Sequence, residues 1–331
     1  MRHLTVTNAD NGKKIFNYIR TVLPGMSNTE IFMFFRKKII TVNDLRVDRD
    51  YKLCEQDRIT IYLKDEHFKS KGNDNSKNRD KYRGVSPKIA VIYEDDNIVV
   101  VNKSAGVLVH PDEGNYKDTL QQRVCAYLYH KKEYDPTSEG YTPSPCHRLD
   151  RNTTGVIVFA KNFLALKNIT SQIRERTTEK IYVALISGVI DKPVLVSSRI
   201  DAQGQTVVVS DLKVTSENIT DKKSMLDMNP DLSFTLITPV KSVNETTFVT
   251  VDLWTGRKHQ IRAHLKALGH SILGDMRYAS KRSGFLSEKY AVQSIMLHAY
   301  KISFVDYPPF IAPMPEDFNK LSKELYGNGL V

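Results

Sequence analysis

Apolar side chains near the start of the chain recur with a helical period. Between positions 11 and 23 they return every three or four residues, which predicts an amphipathic helix that stops at a Pro-Gly pair. A second helix is predicted after Ser27, because Ser27 and Glu30 have the spacing of a capping box in front of a new apolar face. We expect this helix to end in the basic run 36–38, where cations interact favourably with the helix dipole.

The pattern then changes to the short apolar runs that are typical of strands. Runs at 39–42 and 58–63 predict two strands, with Asn43-Asp44 in a turn. The next segment is rich in Lys, Asn, Asp and Ser and poor in large apolar side chains, which predicts a flexible linker. The expected organisation is a small domain over 1–63, a linker over 64–88 and a larger domain over 89–331.

In the larger domain several strand-like runs follow one another without a helix between them. This order predicts an α+β fold with a mixed, largely antiparallel sheet. Strands are expected at 98–101, 107–109, 156–160, 181–186, 232–238, 247–253 and 298–304, and helices at 119–130, 163–174 and 258–268. Residues 190–230 have no strong period and are expected to be an insertion or an irregular excursion.

The 331-residue chain carries a formal net charge of +10, and much of the excess lies in its first quarter. Residues 1–88 contain 19 Lys and Arg against 11 Asp and Glu, a balance of +8. Concentrated positive charge indicates a polyanionic partner, although basic proteins without such a partner are common. The helix end formed by Arg36, Lys37 and Lys38 is the first candidate for contact with such a partner.

Cysteine and histidine spacing gives no sign of a metal site. The three cysteines are far apart and lack a C-x-x-C pair, and the histidines at 259, 264 and 270 do not form an H-E-x-x-H motif. No Walker loop or dinucleotide-binding glycine cluster is present, so we expect neither a metal nor a small-molecule cofactor. No apolar run has the length of a membrane span, and the first residues lack the core of a signal peptide, which predicts a cytoplasmic protein without membrane attachment.

The richest motif lies at 146–155, where Asp150 stands between Arg148 and Arg151. Neighbouring cations favour a carboxylate over the protonated acid. Asp150 is therefore a candidate nucleophile or base in a site for a negatively charged substrate. The alternative interpretation is a surface loop with ordinary ion pairs.

This run, His-Arg-Leu-Asp-Arg-Asn-Thr-Thr-Gly, resembles the H-R-L-D-x-x-T-[ST]-G signature of the RluA-type pseudouridine synthases. Three further segments follow in the family's order: K-x-Y-x-A at 180–184, the run 255–275 that contains H-Q-I-R, and Leu-His-Ala at 297–299. Four ordered matches between residues 146 and 299, nearly half of the chain, make chance a poor explanation.

The resemblance implies a long, bent mixed sheet with an active-site cleft across its middle. It also implies that uridine is isomerised to pseudouridine, and that Asp150 either attacks C1′ or takes the C2′ proton. Arg262 is expected to pair with Asp150, and Tyr182 to support the base near C5. Without the resemblance, Arg262 would be a helix-surface cation and Tyr182 a core residue. Further RNA contacts are expected from Arg148, His147, Lys180, Arg257 and Leu297.

The pattern of two helices and two strands over about 12–63 resembles the S4 RNA-binding domain, although Val-Asn-Asp replaces the more usual Val-Asn-Gly in its turn. The alternative is a small interaction domain whose basic residues only improve solubility. This layout favours structured ribosomal RNA as the substrate. Nothing in the sequence demands more than a monomer, and we expect a monomeric enzyme. A tRNA-modifying enzyme, or a non-catalytic RNA-binding or ribosome-assembly factor on the same fold, are the alternatives.

Overall fold

The computed structural model describes residues 1–68, 82, 84–111, 118–137, 140–216, 219 and 221–328. The chain forms two compact units. The first contains Met1–Val100, Val109–His147 and Val158–Ser171, and the second contains Val101–Leu108, Arg148–Ile157 and Gln172–Val331. No helix within the described ranges is both long and apolar enough to cross a membrane.

The N-terminal part of the first unit has its own sheet and its own core. Its elements are β1 (Arg2–Thr5), α1 (Ile15–Val22), α2 (Asn28–Arg36), β2 (Ile40–Val42), β3 (Leu45–Arg46) and β4 (Arg58–Ile61). The strands pair antiparallel in the order β1-β4-β2-β3. Apolar side chains of both helices pack with those of the sheet, so that Ile15, Ile31 and Ile59 are fully buried.

The predicted capping box is confirmed at the start of α2. The Ser27 hydroxyl accepts a hydrogen bond from the Glu30 N–H at 3.3 Å, and the Glu30 carboxylate accepts one from the Ser27 N–H at 2.7 Å. The two helices and the strands β2 and β4 are also confirmed, whereas β1 was not predicted. The linker predicted at 64–88 falls largely on 69–81 and 83, outside the described residues, and the division at 63 and 89 stays a prediction.

The rest of the first unit contains β5 (Ala90–Glu94), α3 (Leu120–His130) and β7 (Ser144–Pro145). Three further elements pass from one unit into the other: β6 (Ile98–Lys103), β8 (Thr154–Ala160) and α4 (Phe163–Arg174). The strand order here is β8-β6-β5, with β7 paired to β8. Val99, Val100 and Val101 of β6 are fully buried, as expected for a continuous apolar run in a central strand.

The second unit contains most of the large sheet. Its elements are β9 (Glu179–Ser187), β10 (Val194–Gln203), β11 (Thr206–Thr215), α5 (Lys222–Met228), β12 (Ser233–Val243), β13 (Thr246–Leu253), α6 (Gln260–Ala267), α7 (Lys281–Lys289), β14 (Leu297–Ser303), β15 (Phe310–Ile311) and α8 (Glu316–Tyr326). The order is β11-β10-β12-β13-β9-β14-β8, with β15 paired to β14. Only the β14–β8 pair among these is parallel. The predicted mixed, largely antiparallel sheet is therefore confirmed.

Two predictions of local structure are wrong. Residues 107–109 form no strand, because the chain turns at Gly106 with φ +81° and the Val107 carbonyl accepts a hydrogen bond from the Lys103 ammonium group. Residues 190–230 are not irregular, since they contain the β10–β11 hairpin and α5. β11 is the edge strand of the sheet and is exposed along most of its length, so no buried face imposes an alternating pattern on its sequence.

Candidate active site

Asp150 lines a cavity of about 200 Å³, and all of the residues that line this cavity belong to the second unit. The loop 148–153 precedes β8, and the backbone N–H of Thr153 donates to the Asp150 carbonyl at 3.2 Å. The lining residues come from this loop, from β9, β13 and β14, and from α6 with the segment before it. They are Arg148, Leu149, Asp150, Thr153, Tyr182, Leu253, Gly256, Arg257, Lys258, His259, Gln260, Ile261, Arg262 and Leu297. The structure therefore brings four separate sequence motifs to one cavity.

Lys103, the last residue of β6, holds the loop 148–153 in place. Its ammonium group is buried and donates to three backbone carbonyls, those of Ser104, Val107 and Arg151, at 3.0, 2.9 and 2.8 Å. Arg151 in turn donates from Nε to the Gly106 carbonyl at 3.0 Å. Burial lowers the pKa of Lys103 to about 7, and the nearby Asp150 opposes that shift. The loop is thus tied to the end of β6 by contacts that do not use the Asp150 side chain.

Arg262 on α6 joins two carboxylates. Its Nη1 donates to Asp150 Oδ2 at 3.0 Å, while Nε and Nη2 donate to the two oxygens of Asp275 at 2.8 Å each. A bidentate pair of this kind fixes the plane of the guanidinium group. Asp275 also accepts from the N–H groups of Arg277 and Tyr278. The orientation of Arg262 is therefore set by Asp275, and its remaining N–H group is presented to Asp150.

His259 lies on the same side of Asp150 as Arg262. Its Nε2 is 3.7 Å from Asp150 Oδ2, and its Nδ1 is 3.0 Å from the Tyr278 hydroxyl. The residue caps α6 in the left-handed conformation, with φ +54°, which is uncommon for a residue other than glycine. Asp150 Oδ1 has no hydrogen-bond partner in the part of the chain that the structure describes, and the Asp150 side chain is 23% exposed.

Hydrogen bonds of the buried Gln260 hold the start of α6 in place. Gln260 accepts from the Thr255 hydroxyl and the Arg257 N–H through Oε1, and its amide donates to the Phe234 carbonyl and the Thr235 hydroxyl. One turn later, the buried His264 contacts Ser198 and Thr235 through its two ring nitrogens. Burial lowers the pKa of His264 to about 4, so this ring is neutral at physiological pH. These contacts fix α6, and with it Arg262, on strands β10 and β12.

Tyr182 on β9 and Leu297 at the start of β14 form the apolar wall of the cavity. Burial raises the pKa of Tyr182 above its ordinary value, and the charge of Asp150 raises it further. The phenol is therefore protonated at neutral pH. A protonated phenol offers a ring face for stacking and one hydroxyl for hydrogen bonding, but it is a poor base on its own.

The other predicted RNA contacts are not all in one place. Arg148 and Arg257 are exposed at the cavity, whereas Lys180 does not line it. The Lys180 ammonium group lies beside Gly256, 3.7 Å from the position that a Cβ would take there, and burial lowers its pKa to about 8. His147 belongs to the first unit, where its Nε2 accepts a hydrogen bond from the Val158 N–H at 3.1 Å.

Arg36 lines a different cavity, of about 310 Å³, in the N-terminal part of the first unit. Arg46 of β3 and Arg49 contribute two more guanidinium groups to this arginine cleft, and Phe32 lies under Arg49 at 4.8 Å from the ring centroid. Phe35, Val47 and Asp48 complete the lining. Lys37 and Lys38 follow at the exposed end of α2.

Among the residues of the second unit at the site for which the sequence predicts no role there, four support Asp150, Arg262 or His259: Lys103, His259, Asp275 and Tyr278. Lys103 ends an apolar strand, and its position in that strand is the one available signal. His259 was considered only as a metal ligand, and Asp275 lies within a matched motif without an assigned role. Nothing in the sequence around Tyr278 indicates its contact with His259.

The sequence of the chain between residues 97 and 267 matches the family model described as RNA pseudouridylate synthase, which is more than half of its length. The chain belongs to the RNA pseudouridylate synthase family. Within this family it is 32% identical over 252 residues to ribosomal large subunit pseudouridine synthase D of Zymomonas mobilis, covering 72% of this chain and 73% of that protein. It is 28% identical over 297 residues to ribosomal large subunit pseudouridine synthase C of Vibrio cholerae, covering 89% and 85%.

A solved structure of this family has a similar fold. Human RNA pseudouridylate synthase domain containing 4 superimposes with a TM-score of 0.56 at 21% identity, over 71% of this chain and 92% of that one. The sequence resemblance to the RluA-type pseudouridine synthases is thus confirmed, with relatives named ribosomal large subunit synthases C and D.

Proposed function

We propose that this protein isomerises one or more uridines of bacterial large-subunit (23S) ribosomal RNA, with Asp150 as the reacting group. The observation that carries the proposal is the ion pair between Asp150 and an arginine whose orientation a second carboxylate already sets. Relatives named ribosomal large subunit pseudouridine synthases C and D support the choice of RNA. The resemblance and the exposed arginines at the cavity support a nucleic acid as the ligand.

The reaction breaks the N1–C1′ bond of uridine and joins C5 of the same uracil to C1′. Asp150 either forms a bond to C1′ as the N1–C1′ electron pair leaves with uracil, or removes the C2′ proton and leaves a glycal. On the first route C5 bonds to C1′ as the Asp150–C1′ bond breaks, and on the second C5 bonds to C1′ as the proton returns to C2′. Both routes end when the C5 proton departs. No oxidation or reduction occurs, so the chemistry requires no redox cofactor.

The reaction needs a stabilised anion, a surface that holds the detached uracil and contacts with the extruded nucleotide, and residues at the site can supply each of them. Arg262 stabilises the Asp150 anion, and Tyr182 provides the surface on which the detached uracil stacks. Arg148 enters the stack of bases from which the target nucleotide is removed, because enzymes that act on a base must first extrude it. Arg257 at the cavity and Lys180 beside Gly256 contact phosphates, and Leu297 contacts the base. The enzyme acts in the cytoplasm as a monomer.

A tritium-release assay tests this function, because only isomerisation expels the hydrogen at C5. We expect the protein to release tritium from a 23S ribosomal RNA transcript labelled with [5-³H]uridine. If tritium were released only from a tRNA transcript, the substrate would be tRNA and the assignment of ribosomal RNA would be wrong. Binding to the RNA without release from either transcript would contradict the enzymatic assignment and favour an RNA-binding factor.

The N-terminal residues 1–63 are proposed to be an S4-like RNA-binding domain that increases affinity for the substrate. The arginine cleft supports this role, since three guanidinium groups and an aromatic ring favour phosphate and base contacts. No ion pair of Arg36 or Arg46 is present among the described residues, so both side chains are available to an anion. Lys37 and Lys38 extend the positive surface.

Replacing Arg46 and Arg49 together by glutamine should weaken RNA binding and leave the saturated rate of isomerisation unchanged. Loss of two phosphate contacts should lower the slope of log Kd against log salt by about 1.5 units. Binding and single-turnover rates measured at several salt concentrations check this. The matched control removes two charges from the same domain, at the exposed Arg20 and Lys52, which do not line the cleft. Equal effects of the two double variants would contradict a specific role of the cleft.

A further inference from the structure

The contacts of Asp150 extend through two side chains to the edge of the sheet. His259 is buried, and its ring meets the Tyr278 ring edge to face at 5.6 Å. The Tyr278 hydroxyl accepts a hydrogen bond from the backbone N–H of Val207 on β11 at 3.1 Å. Val207 lies near the start of the strand, beside the turn of the β10–β11 hairpin. A continuous path therefore leads from the hairpin backbone to the carboxylate of Asp150.

The direction of each hydrogen bond along this path follows from donor counting. Val207 can only donate to the Tyr278 hydroxyl, so the hydroxyl proton is available to another acceptor. Burial raises the pKa of Tyr278, so this proton is retained. In the described part of the chain, His259 Nδ1 is the other polar atom that contacts the hydroxyl. This arrangement favours Nδ1 as the acceptor, with the proton of the neutral imidazole on Nε2, which faces Asp150.

We propose that Tyr278 and His259 form a positioning relay that holds the Asp150 carboxylate through Oδ2 and leaves Oδ1 open towards the substrate. The proposal rests on the assignment of Asp150 as the reacting group. The separation of 3.7 Å is longer than a hydrogen bond, and we expect it to shorten when RNA fills the cavity, as apo catalytic contacts commonly do. The relay gives the hairpin a role in orienting the reacting carboxylate.

A neutral histidine suits this position better than a second cation. Arg262 already supplies one positive charge to Asp150, and another would make the carboxylate a weaker base and nucleophile. The charged and titratable groups that face His259 are Asp150, Arg262, Arg277, Lys258 and Tyr278. Burial and the three cations lower the pKa of His259, and only Asp150 acts in the opposite direction. The ring is thus neutral at neutral pH.

The backbone conformation of His259 is further evidence that its side chain has a functional role. A non-glycine residue in the left-handed conformation is strained unless its surroundings hold it there, and such residues concentrate at functional sites. Here the ring is held by Tyr278, whose own backbone is fixed by Asp275 and by the Ser271 hydroxyl. Tyr278 also lies against Arg262, whose guanidinium carbon is 5.0 Å from the ring centroid. The two groups that contact Oδ2 therefore share one support.

The first test measures the tautomer in the full-length protein without RNA. Nitrogen-15 NMR of labelled histidine, with the His259→Gln variant to assign the signal, should show a protonated Nε2 and an unprotonated Nδ1. The Tyr278→Phe variant should raise the His259 pKa, because the lost hydroxyl donates only to the neutral ring. A protonated Nδ1 in the wild-type protein would overturn the relay.

The second test uses two amides of different reach. The amide of His259→Gln reaches the former place of Nε2, whereas that of His259→Asn reaches only that of Nδ1. We expect the Asn variant to lose on the order of 10- to 100-fold in saturated single-turnover rate, with unchanged RNA Kd, and the Gln variant to retain most of it. Equal loss in both folded variants would reduce His259 to a packing residue.

The third measurement is the pH dependence of the single-turnover rate. Protonation of His259 slows the reaction on the acid side, so the raised pKa in Tyr278→Phe should move that limb to higher pH by about half a unit to one unit. Tyr326→Phe is the matched control, since it removes a buried hydroxyl bonded to Thr246 in the same unit. A limb that stays in place in Tyr278→Phe would contradict the relay. If the wild-type protein were inactive on both ribosomal RNA and tRNA, the proposed function would be contradicted instead. The NMR measurement of the His259 tautomer would still test the relay in that case.

Discussion

Replacing Asp150 by asparagine should abolish isomerisation while RNA binding persists. The amide has the shape of the carboxylate but can neither attack C1′ nor take a proton from C2′. Arg262 keeps its bidentate pair with Asp275 in the variant, so the cavity does not gain an unpaired cation. We expect the single-turnover rate to fall by on the order of a thousandfold or more, with RNA affinity within a few-fold of wild type.

Tritium release at saturating protein and a binding titration on the same RNA check this result. Asp191→Asn is the matched control, because it makes the same chemical change at an exposed residue outside the cavity. Mass spectrometry of the variant excludes deamidation, which would restore the aspartate. A folded Asp150→Asn protein that kept more than a small residual rate would show that another group performs the chemistry.

Replacing Gly155 by alanine should severely destabilise the fold. Gly155 has φ +117°, and an added Cβ would lie 2.2 Å from the carbonyl oxygen and 2.6 Å from the nitrogen of Ala299 on the paired strand β14. Both contacts are with backbone, so a side-chain rotation cannot relieve them. We expect a loss of about 4 kcal/mol or more in the free energy of unfolding, or no soluble protein.

Urea denaturation of the variant, alongside Gly284→Ala, measures this loss. Gly284 lies in helix α7 with nothing within 4 Å of its added Cβ, so alanine there should be neutral or stabilise by about 0.5–1 kcal/mol. If Gly155→Ala unfolded at the same urea concentration as wild type, the close approach of β8 and β14 would not exist. The close approach of β14 thus explains why the Asp150 motif ends in a glycine at position 155.

The extent to which the sequence predicts this structure differs between its parts. Two helices are predicted nearly to the residue: α2, whose capping box is a strong local signal, and α4. The β10–β11 hairpin was missed because its exposed strand has no buried face to pattern it. Residues 107–109 were assigned to a strand because a short apolar run does not distinguish a strand from a turn held by a buried lysine.

The site shows the same division. Asp150 and Arg262 are found from motifs, and their hydrogen bond links residues 112 positions apart. Resemblance can supply that pairing, but local pattern cannot. The contact of Tyr278 with Val207 spans 71 positions and uses a backbone N–H, which any residue other than proline provides. Such a contact leaves no trace in the side-chain sequence of β11, and only the three-dimensional structure reveals it.

The two carboxylates that share Arg262 have a consequence for the catalytic cycle. In the proposed reaction Asp150 loses its negative charge when it bonds to C1′ or takes a proton, and an arginine held by Asp150 alone would then become an isolated buried cation. Asp275 takes no part in that reaction and binds the guanidinium group by two of its three hydrogen bonds. We therefore expect the arginine to keep its place in every intermediate, so that Asp150 returns at the end of each turnover to a partner that has not moved.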